Sequence, residues 1–339
     1  MRPFIFKQAT SQPEAIELAS GPLNTPNKAD HPVQFLAGGT TLIDLMKLDA
    51  MRPDIVIDIS RAGAGADRIA IDNGALRLGA WVKMAAAADH PQLKQEFPVI
   101  VQTLALAASA QLRNMASLGG NVMQRTRCTY FRDVSYAACN KRTPGSGCSA
   151  LDGINRNHAV LGGSDACIAT YPGDFALALM ALNAEVDIAG PDGITRKAFS
   201  DLHQAPGQTP DIETTLKPGE LIVAFHVPAT PFARRSRYVK IRDRESYEFA
   251  LASAAVGLDM DNGTVREARI ALGGVATIPW RAHAAEAQLK GKHLDEATAQ
   301  AAAETAFASA KTHGHNAFKI PLGKAALVRA LLETAAMEI

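Results

Sequence analysis

The feature that most constrains the fold is a change of rhythm along the chain. Through the first 60 residues, strand and helix patterns alternate: PFIFKQA, then SQPEAIELAS, VQFLAGG, TTLIDLMKLD and DIVIDIS. Ser11, with Glu14 three residues on, supplies helix-start chemistry for the second of these. LRLGAWV predicts a further strand, followed by an Ala-rich helix and then a buried, nearly all-apolar helix in PVIVQTLALAAS. DFALALMALNAEVDIAG reads as helix then strand, and the stretch from about Thr195 to Gln208 as a connection with a short helix. From Glu220 the rhythm changes to successive strands, ELIVAFHVP, SRYVKIRDR, FALASAAVGLDMDNG and REARIALGG, with an Asp-Asn-Gly turn at 261–263. The tail from Pro279 to Ile339 is helical, with interruptions at Gly314 and Pro321. Alternation followed by antiparallel strands closed by helices predicts an α+β fold in three subdomains, without internal repeats.

Bulk properties exclude some functions. Of the 339 residues, 47% are apolar and 20% charged, and the formal net charge is +1, as expected of a globular chain with a large core. No long basic run occurs, so neither nucleic acid nor a membrane surface has an electrostatic footprint here. The N-terminus lacks an apolar segment of signal-peptide length and no span is apolar enough to insert in a membrane, so the chain shows no export signal of its own.

Two glycine turns stand out. Ala37-Gly38-Gly39-Thr40-Thr41 lies between a strand and a helix, where backbone N–H groups and the helix start face any bound anion and the threonines add hydroxyls. Ser117-Leu118-Gly119-Gly120-Asn121 makes a second open, donor-rich loop. Each alone is ordinary turn chemistry. Together they suit an extended ligand with a diphosphate, and the absence of GxGxxG sets aside a Rossmann dinucleotide site.

All four cysteines, Cys128, Cys139, Cys148 and Cys167, fall in one window with 10, 8 and 18 residues between them. Such grouping calls for a common cause. Disulfides require an oxidising compartment, and unrelated buried thiols leave the clustering unexplained. A four-cysteine metal site, zinc or [4Fe–4S], remains, and the spacing does not choose between them. Gly145, Gly147, Gly153, Gly162 and Gly163 allow a tightly wrapped loop, and Arg125, Arg127, Lys141 and Arg142 can offset thiolate charge. His158 and His203 are further ligands in principle, although four cysteines already complete a site.

FLAGGTTLIDLMK, QLRNMASLGGN, GDFALALMALNAEVDI, PGELIVAFHVP and YVKIRDRESYEFALASAAV, in that order, resemble the FAD-binding subunit of the molybdenum hydroxylases, the xanthine dehydrogenase and aldehyde oxidoreductase family. The cysteine-bearing insert is similar to that of bacterial periplasmic aldehyde oxidoreductases, whose flavin subunit carries an extra [4Fe–4S] cluster. It is this resemblance that selects iron–sulfur over zinc, with Cys128, Cys139, Cys148 and Cys167 as ligands.

The resemblance implies a vanillyl-alcohol-oxidase (PCMH)-type FAD-binding fold in two subdomains, residues 1–60 and 61–190, with the insert at about 124–170. A C-terminal α+β domain, an antiparallel sheet with helices, follows at 191–339. It implies FAD contacts along Gln34, Phe35, Leu36, Ala37, Gly38, Gly39, Thr40, Thr41 and Leu42, and at Ser117, Gly119, Gly120 and Asn121. It also places Asp174 near the ribityl or flavin region, Ile222 on the flavin or adenine side and Lys240 near the isoalloxazine. The implied partners are a large subunit holding the molybdenum cofactor, where substrate is oxidised, a small [2Fe–2S] subunit that delivers electrons, and an external acceptor. The location is then cytoplasmic, or periplasmic by co-export with a partner. Two rival readings are a zinc-stapled binding or scaffold protein, and a stand-alone flavin reductase of the same broad fold.

Overall fold

The computed structural model describes residues 1–19 and 32–339. Three sheets organise it. The first is parallel, with β1 (Ile5–Gln8), β2 (Val33–Leu36) and β3 (Ile55–Asp58) in the order β1-β3-β2. The expected strand–helix alternation is present: helices Gln12–Ala19 and Leu42–Lys47 lie between the strands, and Ser20, the last residue of the first helical pattern, lies outside the described residues. Ser11 Oγ accepts from the Glu14 N–H, and Glu14 reaches back to the Thr10 N–H, which fixes the start of the first helix.

The second sheet is antiparallel in the order β4-β5-β8-β6-β7, from β4 (Ile69–Asp72), β5 (Ala75–Gly79), β6 (Glu185–Gly190), β7 (Gly193–Ala198) and β8 (Leu221–Val227). Of the stretch expected as a connection with a short helix, only Thr195–Ala198 belong instead to β7; Phe199–Asp201 is a short 3-10 helix and the remainder to Gln208 is connection. The reason is local. GITRKA has no apolar alternation because β7 is a solvent-facing edge, held by its hairpin pairing with β6, and Ile194 is 64% exposed. Residue 190, where the sequence suggests a division, is the last residue of β6 at that same hairpin.

The third sheet, β12-β11-β10-β9, comprises β9 (Ser236–Ile241), β10 (Ala252–Asp261), β11 (Thr264–Gly273) and β12 (Trp280–Arg281). Asn262 and Gly263, both at positive φ (48° and 81°), close the β10–β11 hairpin at the predicted turn. Helices His283–Leu289, Glu296–Ala306 and Lys319–Ala335 cover this sheet. Pro321 was expected to interrupt the tail, but it sits in the first turn of the last helix, where a missing N–H costs no hydrogen bond.

The helix Phe175–Ala181, all seven residues buried, joins the second and third sheets in one core with Phe225, Ala255 and Ala271. Phe175 meets Phe225 edge-on at 5.7 Å. Each such aromatic contributes about 1.5–3 kcal/mol on burial, so the all-apolar run helps hold the second and third sheets together. The helix Pro98–Ala105 is buried as predicted, with Val99, Ile100 and Leu104 inaccessible. Among the described residues, no helix is long and apolar enough to cross a membrane.

Candidate functional site

The two glycine turns meet. Gly39 takes the left-handed conformation (φ 74°), which turns β2 into the helix Leu42–Lys47. Gly38 lies against the backbone just before the second turn: a Cβ there would sit 2.3 Å from the Met115 carbonyl oxygen. Ser117 caps the short helix Leu118–Val122 by accepting from the Gly120 N–H at 3.3 Å, while the Gly119 N–H donates to the Ala80 carbonyl. The result is a cleft, open to solvent, lined by residues of both turns.

Of the residues singled out in the sequence, Gln34, Phe35, Ala37, Gly38, Gly39, Thr40, Thr41, Leu42, Ser117, Gly119, Gly120 and Ile222 line this cleft. Leu36 packs with the apolar group of Leu42, Leu45 and Met46. Asn121 lies just outside the lining, and its buried side-chain oxygen has no hydrogen-bond partner among the described residues, an acceptor left over beside the cradle. Asp174 and Lys240 line no part of the cleft. They pair with each other at 2.7 Å, Asp174 also accepts from the Tyr238 hydroxyl at 2.5 Å, and Lys240 donates to the Leu106 carbonyl.

The far wall holds charges that no sequence pattern announced. Glu213 accepts from Arg125 Nε at 2.6 Å and Lys141 Nζ at 2.7 Å, and Lys141 also donates to the Pro210 carbonyl. Burial by itself would raise the Glu213 pKa, but the Arg125 and Lys141 charges overcome it and hold the carboxylate at about 2. Arg125, stacked over Phe131 at 4.8 Å, keeps one terminal nitrogen buried without a partner among the described residues. Tyr171 donates to the Val122 carbonyl and meets His203 edge-on at 4.7 Å, and burial depresses His203 to about 4. Only Arg125, Lys141 and His203 drew attention in the sequence, and for other reasons: glutamate in DIETTLKPGE looks like any loop acid until the fold brings two cations to it.

This triad makes a pH prediction. Folding depresses Glu213 from its ordinary 4.5 to about 2, so its contribution, on the order of 3 kcal/mol, is complete above about pH 4.5 and lost as pH falls towards 2. Glu213→Gln should therefore lower the thermal midpoint most at pH 5 and above, and the gap to wild type should narrow from pH 4.5 to 3. A gap independent of pH would show that the pairing does not carry the effect.

The cysteine window folds around its own pocket. Cys128, Cys139, Cys148 and Cys167 are all free thiols, and all four line one small pocket. Cys139 and Cys148 pair as an antiparallel bridge across a loop in which Gly145 and Gly147 take positive φ, and Asn140 ties both sides of it through Gly147. Arg142 crosses behind, donating to the carbonyls of Tyr130, Phe131 and Tyr136. The Cys148 thiol is drawn down to about 6 by the hydrogen bond with Cys167, whereas burial pushes Cys128 up to about 12. Burial also depresses His158, whose Nε2 lies 3.1 Å from Cys128 Sγ, to about 4. Among the described residues, no group of three or more His, Cys, Asp or Glu side chains is placed to hold a single metal ion. Lys141, Cys167 and Ala169 line both pocket and cleft, so the two share a wall.

Comparison with known proteins agrees with this architecture. Residues 6–230 match the FAD binding domain in molybdopterin dehydrogenase, and residues 237–334 the CO dehydrogenase flavoprotein C-terminal domain. The chain is 46% identical over 322 residues to the aldehyde oxidoreductase FAD-binding subunit PaoB of Escherichia coli K12, covering 93% of this chain and 97% of that one. It is 28% identical over 263 residues to the carbon monoxide dehydrogenase medium chain of Afipia carboxidovorans, covering 77% and 73%. Among solved structures, the carbon monoxide dehydrogenase of Hydrogenophaga pseudoflava superposes with a TM-score of 0.74 at 25% identity, covering 99% of this chain and 98% of that one.

Proposed function

The chain belongs to the FAD-binding medium subunits of the molybdenum hydroxylase family, and we propose that it takes electrons from a [2Fe–2S] subunit and passes them to an external acceptor. In this reading, aldehyde oxidation takes place on a separate large subunit holding the molybdenum cofactor. The relatives named above are oxidoreductase subunits. The observation that carries the reading is the cleft lined by both glycine turns. Its residues fit FAD. Gly38 lets the two turns close on each other, and Gly39, Thr40 and Thr41 line the cleft, where the threonine hydroxyls would meet a diphosphate. Ile222 gives an apolar wall. Bound FAD supplies chemistry in one- and two-electron steps, which suits a subunit that collects single electrons and passes them on.

We propose further that Cys128, Cys139, Cys148 and Cys167 hold a [4Fe–4S] cluster. Four free thiols around one pocket support it. Lys141 lines the pocket, and its charge favours the Cys167 thiolate. The compartment follows the partner: cytoplasmic, or periplasmic if the partner carries an export signal.

The test is the visible spectrum of the anaerobically purified complex, with flavin, iron and zinc quantified. The expected result is one flavin per chain and about four irons beyond the share of the [2Fe–2S] subunit. A colourless chain with one zinc would overturn both proposals. Flavin without extra iron would overturn the cluster alone, and a monomer that turns over an NAD(P)H-linked substrate unaided would favour the flavin reductase.

A further inference from the structure

Among the four thiols, Cys128 has a partner approaching from outside the pocket. His158 is buried, with its Nε2 3.1 Å from Cys128 Sγ, and it does not itself line the thiol pocket. It is therefore a neighbour of the sulfur and not one of the groups that line the pocket. Its other ring nitrogen, Nδ1, is buried without a hydrogen-bond partner among the described residues, so the ring's polar contact is with that sulfur.

The ring is held in place by its own backbone. The His158 N–H donates to the Asn155 carbonyl at 2.9 Å, and Asn155, 1% exposed, donates through its side chain to the Ala150 carbonyl, two residues beyond Cys148. Asn155 also accepts from the His315 N–H, and the next residue, Ala159, donates to the Ile168 carbonyl and accepts from the Asn316 side chain. The turn at 155–159 is thus bonded to the segments carrying Cys148 and Cys167 and to the C-terminal region at once. A neutral imidazole carries one N–H, and the partner of each nitrogen decides which one holds it. Facing a thiol, Nε2 accepts; facing a ligating thiolate, Nε2–H donates.

We propose that His158 is a positioning residue for the Cys128 sulfur, donating Nε2–H to the ligating thiolate, aiming it into the pocket and raising the reduction potential of the centre held there. This rests on the cluster reading above. A hydrogen bond to a cluster sulfur stabilises the more negative, reduced state, and groups that orient ligands in this way are worth 10- to 100-fold in affinity or activity.

The experiment compares the whole complex as wild type, His158→Leu and His158→Gln. Iron and flavin are quantified first, and a redox titration followed by electron paramagnetic resonance comes second. The cluster signal is identified as the one missing from Cys148→Ser. In His158→Leu the ratio of reduced to oxidised cluster at a fixed potential should fall about tenfold, a 59 mV lower midpoint for one electron, with flavin content unchanged. His158→Gln keeps a donor N–H and should recover most of that shift. An unshifted midpoint in His158→Leu, or a glutamine variant shifted as far as the leucine one, would overturn the role. If His158→Leu loses its cluster, His158→Gln must retain it, and loss from both overturns the donor assignment. Wild-type complex without the extra iron fails at the earlier step and sinks the cluster reading itself.

Discussion

Gly38→Ala should release the flavin from a chain that still folds. The added methyl would lie 2.3 Å from the Met115 carbonyl oxygen, 2.8 Å from its carbon and 3.0 Å from Ala116 Cα, all of them backbone. No side chain can rotate away, so one turn must move off the other. Met115 and Ala116 lead directly into Ser117, Gly119 and Gly120, and both halves of the cradle are therefore displaced by one carbon. A loss of 1.4 kcal/mol is tenfold in affinity, and misplacing several backbone donors at once should cost at least that, so flavin per chain after gel filtration should fall roughly tenfold or more. Gly120→Ala is the graded comparison. Its nearest contact is the Ser117 hydroxyl at 3.0 Å, a side chain able to give, so its flavin loss should be smaller. Wild-type flavin content in a folded Gly38→Ala protein would mean that the cofactor does not lie over this junction.

How much of this was legible in advance follows from the range of each interaction. The glycine turns announced themselves because a strand stopping at two glycines before a helix is a local event, and both turns line the cleft where expected. The cysteines were conspicuous by number and grouping, and they do gather round one pocket. Nothing local distinguishes Glu213 from a solvated acid; its meaning comes from Arg125 and Lys141, 88 and 72 residues away. The edge strand β7 escaped notice because exposure removes the alternation that betrays a strand. Pro321 misled in the opposite direction, since the same residue that breaks a helix interior fits its first turn. The proximity of pocket and cleft is a tertiary fact, set by the wall that Lys141, Cys167 and Ala169 share.

The second large effect concerns Asp174 and Lys240, for which sequence similarity and structure suggest different roles. Similarity places both beside the flavin, yet the side chains are 6% and 1% exposed and spend their charges on each other. Asp174 stands at the start of the buried helix Phe175–Ala181, and Lys240 on β9, so the pair ties the central core to the third sheet. Lys240→Met removes the cation and leaves a buried carboxylate with only the Tyr238 hydroxyl of its two side-chain partners. Breaking such a pair costs about 3–5 kcal/mol, and a chain of this size should lose roughly 5–10 °C in its thermal midpoint. Adding Asp174→Asn should restore part of the loss, because the stranded charge is gone. Flavin content measured well below the transition separates the two roles. Full occupancy in the destabilised Lys240→Met complex would make the pair a structural link between core and sheet. Loss of flavin from a complex that is still folded would mean that the cofactor, when bound, reaches past the present cleft lining to this lysine.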